Sequence, residues 1–301
     1  MTLPEGIKSG FVTIAGRPNV GKSTLLNRLV GSKVAITSPR PQTTRNRVVG
    51  IMSRPGLQVV FVDTPGIMRE KSRLNKFMIG VSVKAGGDSD MILFITDAER
   101  PDLEADRFAL SRFGEKRCPR FLVINKIDTV KKPVLLEQIA ALTTIGEFDE
   151  VFPISARNGE GVEEMVTSIA KILPVGPQFY PAETITDQPE RFFIGEIIRE
   201  KAFVSLHQEL PYSTAVVVEG VEDEPNGVTL IGAVIYVERE SQKGIVIGKG
   251  AAMLKKIGSM ARQELEARFG TKVYLDLRVK VKEKWTTDIR SLGELGYKDE
   301  E

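Results

Sequence analysis

The sequence predicts an α/β protein in two domains, a doubly wound and largely parallel sheet followed by a smaller α+β domain. Three observations carry that reading. Up to residue 173, short apolar runs of strand length alternate with segments of helical apolar spacing, the order expected of a sheet wrapped by helices on both faces. Residues 16–23, Gly-Arg-Pro-Asn-Val-Gly-Lys-Ser, join the first apolar run to the first helical segment. From about Gln188 the order changes to helix, two strands joined by a tight turn, a Gly-rich loop, a long helix and a last strand.

In chain order, the first strand is 11–15 and its helix 24–30. Residues 47–53 and 57–62, separated by Pro55-Gly56, predict an antiparallel hairpin on the sheet edge. Strands at 91–96, 121–124 and 151–154 are each followed by a polar loop and a helical pattern, with helices at 74–84, 103–112, 133–142 and 161–172. Six strands and five helices in this order make a domain of residues 8–173, with ligand groups expected at the carboxyl ends of its strands. Residues 174–189 hold four prolines and Gly176 without any period, and read as an ordered linker. The second domain, 190–297, is read as helix 190–206, strand 214–222, a turn at Pro225-Asn226-Gly227, strand 228–237, the Gly-rich loop, helix 252–269 and strand 273–281. Residues 298–301 form a short charged end.

Composition narrows the function classes. A chain of 301 residues with 42% hydrophobic and 27% charged content is that of a soluble globular protein able to bury two cores. The net charge of +2 excludes a global basic field, so any nucleic-acid binding must rest on a local concentration of Lys and Arg. The one cysteine, Cys118, excludes an internal disulfide, fits a reducing compartment, and reads as an incidental thiol rather than a nucleophile. Residues 1–10 lack an apolar core of signal-peptide length, and no later stretch approaches the roughly 18 apolar residues of a membrane span. The expectation is a cytoplasmic protein.

Residues 16–23 fit the phosphate-loop pattern G-x-x-x-x-G-K-[ST], in the strand-loop-helix context the motif requires. Gly16 and Gly21 let the backbone turn its N–H groups inward, those of Asn19, Val20 and Thr24 among them, around phosphate oxygens held at a helix N-terminus. Lys22 then reaches the β- and γ-phosphates, and the Ser23 hydroxyl ligates Mg²⁺. Asp63-Thr64-Pro65-Gly66 ends the third strand, bringing a carboxylate to the metal side and the Gly66 N–H to a γ-phosphate. Asn125-Lys126-Ile127-Asp128 ends the fifth strand, where Asp128 can accept from both N1–H and the exocyclic amine of guanine. Adenine offers no such pair, and a site built for one edge rejects the other by roughly 10⁴ or more. Ser155-Ala156 closes the last strand, where a backbone N–H can meet the guanine carbonyl. Thr43 and Thr44 lie in a basic loop, 38–47. Thr44 is the preferred second hydroxyl ligand to Mg²⁺, a plain Ser/Thr-rich turn being the other reading. These residues predict a GTP/GDP site with Lys22, Thr44 and Gly66 at the γ-phosphate; a P-loop kinase or ATPase is the rival that Asn125 to Asp128 argue against.

Taken together these motifs resemble those of small GTPases over about 170 residues. The residue after Gly66 is Ile67, where many signalling GTPases carry a Gln that orients the attacking water, so intrinsic hydrolysis is expected to be slow. The stretch 19–23 is similar to that of the TrmE–Era group, in which such an Asn can hold K⁺. For Asn19 that role and ordinary loop capping stand side by side.

In the second domain Gly244 to Ala251, with Ile247, Gly248, Lys249 and Gly250 at its centre, resembles the loop of a KH domain. There a G-x-x-G turn between two helices clamps about four single-stranded nucleotides. Lys255, Lys256 and Arg262 on the following helix join the candidate RNA-binding set. The pattern departs from the family at Ala251, which stands where a Gly is expected, with the second Gly one position early at Gly250. Between Lys243 and Arg290 there are twelve Lys or Arg against five Asp or Glu, a local basic excess suited to phosphates. The whole chain resembles the Era family of bacterial GTPases. That resemblance implies binding to the 3′ end of 16S ribosomal RNA, a role in maturation of the 30S subunit, and peripheral association with the inner membrane. A monomer is expected. The other reading makes the second domain a protein-interaction or membrane-surface module without RNA.

Overall fold

The computed structural model describes residues 6–70 and 72–297, so the charged tail 298–301 and the first half of the segment 1–10 lie outside the described residues. The described chain divides into two compact units, residues 6–70 with 75–187, and 72–74 with 188–297.

The first unit contains β1 (Ile7–Gly16), α1 (Lys22–Val30), β2 (Val48–Arg54), β3 (Leu57–Asp63), all but the first two residues of α2 (Arg73–Gly87), β4 (Met91–Asp97), α3 (Leu103–Ser111), β5 (Arg120–Asn125), α4 (Lys132–Leu142), β6 (Glu150–Pro153), α5 (Val162–Ile172) and the short β7 (Val175–Gly176). The main sheet runs β2-β3-β1-β4-β5-β6, and among the described residues only β2 and β7 are antiparallel to their neighbours. Strands β3, β4 and β5 are buried along their whole length, which is why they read as continuous apolar runs and not as alternation. Helices pack on both faces. On one, Ala15, Phe94, Leu122 and Ile124 of the sheet meet Ile79 of α2 and Ala109 and Leu110 of α3. Local signals set the helix ends. Gly31, at φ +75°, stops α1 by donating to the Asn27 carbonyl, and the Asp102 carboxylate caps α3 by accepting from the Ala105 N–H at 3.0 Å.

The Pro-rich stretch 174–189, read as a linker, is for most of its length part of the first unit, which extends to Asp187. It runs along the outer edge of β2. The Ile51 N–H donates to Ile185 O at 2.9 Å, and the Thr186 hydroxyl to Val49 O at 2.6 Å. The Gln58 carboxamide holds the bend, accepting from the N–H groups of Phe179 and Tyr180 and donating to Tyr180 O.

The second unit contains α6 (Glu190–Ser205), β8 (Ala215–Asp223), β9 (Val228–Val237), α7 (Glu240–Ile247), α8 (Ala252–Phe269), β10 (Lys272–Val281) and α9 (Ile289–Glu294). Its sheet runs β10-β9-β8, with β9 parallel to β10 and antiparallel to β8. Ile194, Ile197 and Ile198 of α6 and Ile257, Ala261 and Leu265 of α8 share one core with Ile231, Ala233 and Ile235 of β9. The loop read directly after β9 is in fact the helix α7. Gly244 in its middle conceals the helical pattern, and Gln242 fixes its start by accepting from the Glu238 and Arg239 N–H groups.

Candidate functional site

The first site forms at the carboxyl ends of the parallel strands. At Gly16, φ is +146° and a Cβ would lie 2.3 Å from the Ile95 carbonyl oxygen; at Gly21, φ is +99° and a Cβ would strike the Asn125 amide nitrogen at 2.2 Å. Both positions require glycine. Between them Asn19 stands exposed in the left-handed region at φ 65°, and Val20 is buried. Lys22 is 6% exposed, its ammonium donating to the carbonyls of Arg17 (2.7 Å) and Gly16 (3.3 Å). Burial pulls its pKa down to about 8, with the Asp63 carboxylate offsetting part of that shift.

Ser23, Thr44 and Asp63 converge from α1, the 38–47 loop and the end of β3. Ser23 Oγ donates to Asp63 Oδ2 at 2.6 Å and lies 2.9 Å from Thr44 Oγ1, which is 3.4 Å from the same carboxylate oxygen. Thr43 lines the same cavity as Ser23 and Thr44, but its hydroxyl bonds within its own loop, 2.7 Å from both Ser38 Oγ and the Arg40 carbonyl. Asp63 is fully buried, and among the described residues its Oδ1 has no hydrogen-bond partner. Burial pushes its pKa up to about 6. An orphaned, buried carboxylate oxygen beside two hydroxyls is an all-oxygen donor set, which suits Mg²⁺.

Gly66 follows Asp63 past a tight approach, since a Cβ there would sit 2.6 Å from Pro18 Cα. Ile67 is 1% exposed, packs into the core with Ala15, Ile79 and Phe94, and donates its N–H to Gly16 O. Asn19, Lys22, Ser23, Thr24, Thr44, Gly66 and Lys126 all line one cavity of about 520 Å³, a volume suited to a nucleotide's phosphates.

The other motif residues lie beyond that wall. Asp128 is exposed in a single 3-10 turn, Ile127–Thr129. Asn125, expected on the nucleotide, is 2% exposed and works as a strut: its Nδ2 donates to Val20 O at 2.8 Å and its Oδ1 accepts from the Ala156 N–H at 2.9 Å. The Ser155 N–H donates to Glu160 O. Both N–H groups of Ser155-Ala156 are thus committed within the protein, and a guanine carbonyl there must share the Ala156 donor. The sequence reading missed Asp97. It ends β4, its Oδ2 pairs with Lys126 Nζ at 2.5 Å, and its Oδ1 accepts from the Glu99 and Arg100 N–H groups. Its place at a strand's carboxyl end was the available signal. Cys118 is half-buried against the core, and burial pushes its thiol pKa up, the opposite of activation.

The second site lies between α8 and β10. Ala251, Leu254, Lys255, Gly258 and Arg262 form one wall, and residues 273–277 of β10 the other, around about 490 Å³. Gly248 (φ +72°) and Gly250 (φ +58°) shape the turn from α7, and a Cβ on Gly250 would meet nothing within 4 Å. Ile247, which ends α7, is half-buried; Lys249 and Gly250 are exposed. Ala251 caps α8 in the left-handed region at φ 63°, the conformation for which the family pattern supplies a glycine. Lys255 and Arg262 face the groove; Lys256 is exposed but is not on its wall. The β10 wall, with Tyr274 64% exposed, was not anticipated.

Residues 11–126 match the family described as a 50S ribosome-binding GTPase, and residues 209–286 match the KH domain. GTPase Era of Geotalea uraniireducens is 51% identical over 290 residues, a match covering 96% of this chain and 98% of that protein. The chain belongs to the Era family of GTPases. GTPase Era of Geobacter metallireducens is likewise 51% identical, with the same coverage. An Aquifex aeolicus Era variant bound to GDP·AlF4⁻ has a similar structure, with 39% identity and a TM-score of 0.91 over 97% of this chain and 99% of that one. Era in complex with MgGDPNP and nucleotides 1506–1542 of 16S ribosomal RNA matches with a TM-score of 0.92, at the same identity and coverage. The sequence expectation of a GTPase with a C-terminal KH domain holds, and the α8–β10 groove belongs to the KH domain of this Era-family chain.

Proposed function

We propose that this chain binds and hydrolyses GTP with Mg²⁺, binds the 3′ end of 16S ribosomal RNA through the KH groove, and acts in maturation of the 30S subunit in the cytoplasm. The observation that carries the reading is the meeting of Ser23, Thr44 and Asp63 beside a buried Lys22, in a chain that also carries a basic-rimmed KH groove. The Era complex with 16S ribosomal RNA supports the RNA assignment.

Asp128 accepts from the guanine N1–H and exocyclic amine, while Lys22, regaining its full charge next to phosphate, holds the β- and γ-oxygens. The hydroxyls of Ser23 and Thr44 would hold Mg²⁺, with Asp63 behind them, and the ion would neutralise charge on the phosphate oxygens. The Gly66 N–H faces the γ-phosphate. Water attacks the γ-phosphorus, the bond from that phosphorus to the β–γ bridging oxygen breaks, and GDP, phosphate and a proton leave. Ile67 is locked into the core and cannot orient that water, so intrinsic turnover is slow. Asn19, exposed on the cavity wall, is the candidate ligand for a K⁺ that would add positive charge. Peripheral contact with the inner membrane belongs to the same proposal. No helix among the described residues is long and apolar enough to cross a membrane.

Binding to a 16S 3′-terminal RNA and to a scrambled RNA of equal length, at matched salt, tests the RNA half. Preference for the 3′-terminal sequence is expected. Equal weak binding of both would favour the protein- or membrane-surface reading of the second domain.

A further inference from the structure

Asp106, in the first turn of α3, belongs to none of the nucleotide-binding motifs, yet it is fully buried. Its Oδ1 accepts from Arg17 Nε at 2.6 Å, and among the described residues its Oδ2 has no hydrogen-bond partner. A buried carboxylate satisfied on one side costs stability, and a carboxylate placed only to complement a helix N-terminus needs no burial. What it holds is the first variable residue of the phosphate loop. The Arg17 guanidinium also donates to the Arg100 carbonyl at 3.1 Å, which ties the loop after β4 to the same group. The backbone carbonyl of Arg17 accepts the shorter of the two hydrogen bonds from Lys22 Nζ, 2.7 Å against 3.3 Å to Gly16. The order of contacts is therefore Asp106 to the Arg17 side chain, and the Arg17 backbone to the lysine that meets the phosphates.

We propose that Asp106 is a positioning residue for phosphate binding: it acts through the Arg17 side chain to fix the Arg17 carbonyl, and so holds Lys22 where the β- and γ-phosphates arrive. This deepens the GTP-site reading and rests on it. Asp106 touches no nucleotide, and neither the base-end residues nor the metal-facing hydroxyls are part of the chain of contacts.

The test is a double-variant cycle on the full-length protein, with affinity for GDP and for guanosine measured by displacement of a fluorescent GDP. Asp106→Ala should weaken GDP binding roughly tenfold, a typical coupling for neighbours in one network, and leave guanosine binding, which uses no phosphate contact, within about twofold. In an Arg17→Ala background, Asp106→Ala should weaken GDP no further. Should Asp106→Ala not fold, Asp106→Asn with and without Arg17→Ala gives the same cycle, with a smaller first loss. Wild-type GDP affinity in the single variant, losses that add in the double variant, or an equal loss for guanosine would each overturn the proposal. Failure of the GTP-site reading itself would look different, since the wild-type protein would then not prefer GDP over guanosine.

Discussion

Ser23 and Asp63 share a hydrogen bond of 2.6 Å although 40 residues separate them, and in this pair the carboxylate is the buried partner. Asp63 titrates at about 6 against an ordinary 3.8, because burial penalises its charge more than Lys22, Ser23 and Thr44 repay. A carboxyl raised in the folded state contributes most below pH 3.8, and that contribution is lost as pH rises through about 6. Without nucleotide, Asp63→Asn should therefore raise stability above pH 6, by on the order of 3 kcal/mol, and change little near pH 4. With GDP and Mg²⁺ present the order should reverse, the wild type gaining the larger shift. Thermal melts at pH 4.5 and 8, with and without GDP and Mg²⁺, check both halves.

Asp128→Asn should move base preference from guanine towards xanthine, since Asn can donate to the second xanthine carbonyl where Asp can only accept. Competition between GDP and XDP measures the switch, and unchanged GDP selectivity would remove Asp128 from base recognition.

Ile67→Gln, which restores the residue type that orients water in other GTPases, should not accelerate hydrolysis here. The side chain lies in the core, 1% exposed, so the amide would be buried without partners, at a cost of about 2–4 kcal/mol. Single-turnover hydrolysis and a denaturant midpoint measure the two effects; a rate increase would show that the loop can turn this residue outward.

On the RNA side, Lys255→Glu and Arg262→Glu should each weaken binding and flatten its salt dependence, the slope falling by about one for every phosphate that is no longer neutralised. Lys256→Glu, off the groove wall, should do much less. Equal effects from all three would point to diffuse attraction instead of a groove.

Ala251→Gly should stabilise the second unit by about 0.5–1 kcal/mol, because a Cβ in the left-handed region is strained, and should tighten RNA binding by letting the phosphate backbone approach. Urea unfolding and RNA titration check it, and lower stability in the glycine variant would mean that the alanine methyl packs usefully.

How much of this was legible in the sequence follows from how local each cause is. The phosphate loop, the hairpin before Asp63 and the turn around Gly248 are set by residues within a few positions of one another, and glycine placement alone announces them. No local pattern separates Thr44 from Thr43; the reason visible in the structure is that Thr43 bonds within its own loop while Thr44 reaches Ser23. The motif marks Asn125 for the nucleotide site, and its further work as a strut depends on Val20, 105 residues away, which no local pattern shows. Asp106 and the β10 wall of the groove are illegible for the same reason, whereas Asp97 carries a signal in its place at the end of β4. Each acts through a partner brought near only by the sheet or by helix packing. Helix α7 follows from the KH resemblance, whose loop lies between two helices, and not from periodicity, because a glycine stands inside a short helix whose start is fixed by a side chain.

The segment that runs beside β2 bears on how the nucleotide-binding unit can be isolated. An outermost strand with open N–H and C=O groups is a template for a neighbouring molecule, and here Ile185 and Thr186 occupy two of those groups, on Ile51 and Val49. A fragment ending at Leu173 would retain every residue that faces the nucleotide yet leave that edge open, and molecules of it would be able to pair strand to strand and precipitate. A fragment ending at Asp187 carries its own cover and should stay monodisperse at the same concentration.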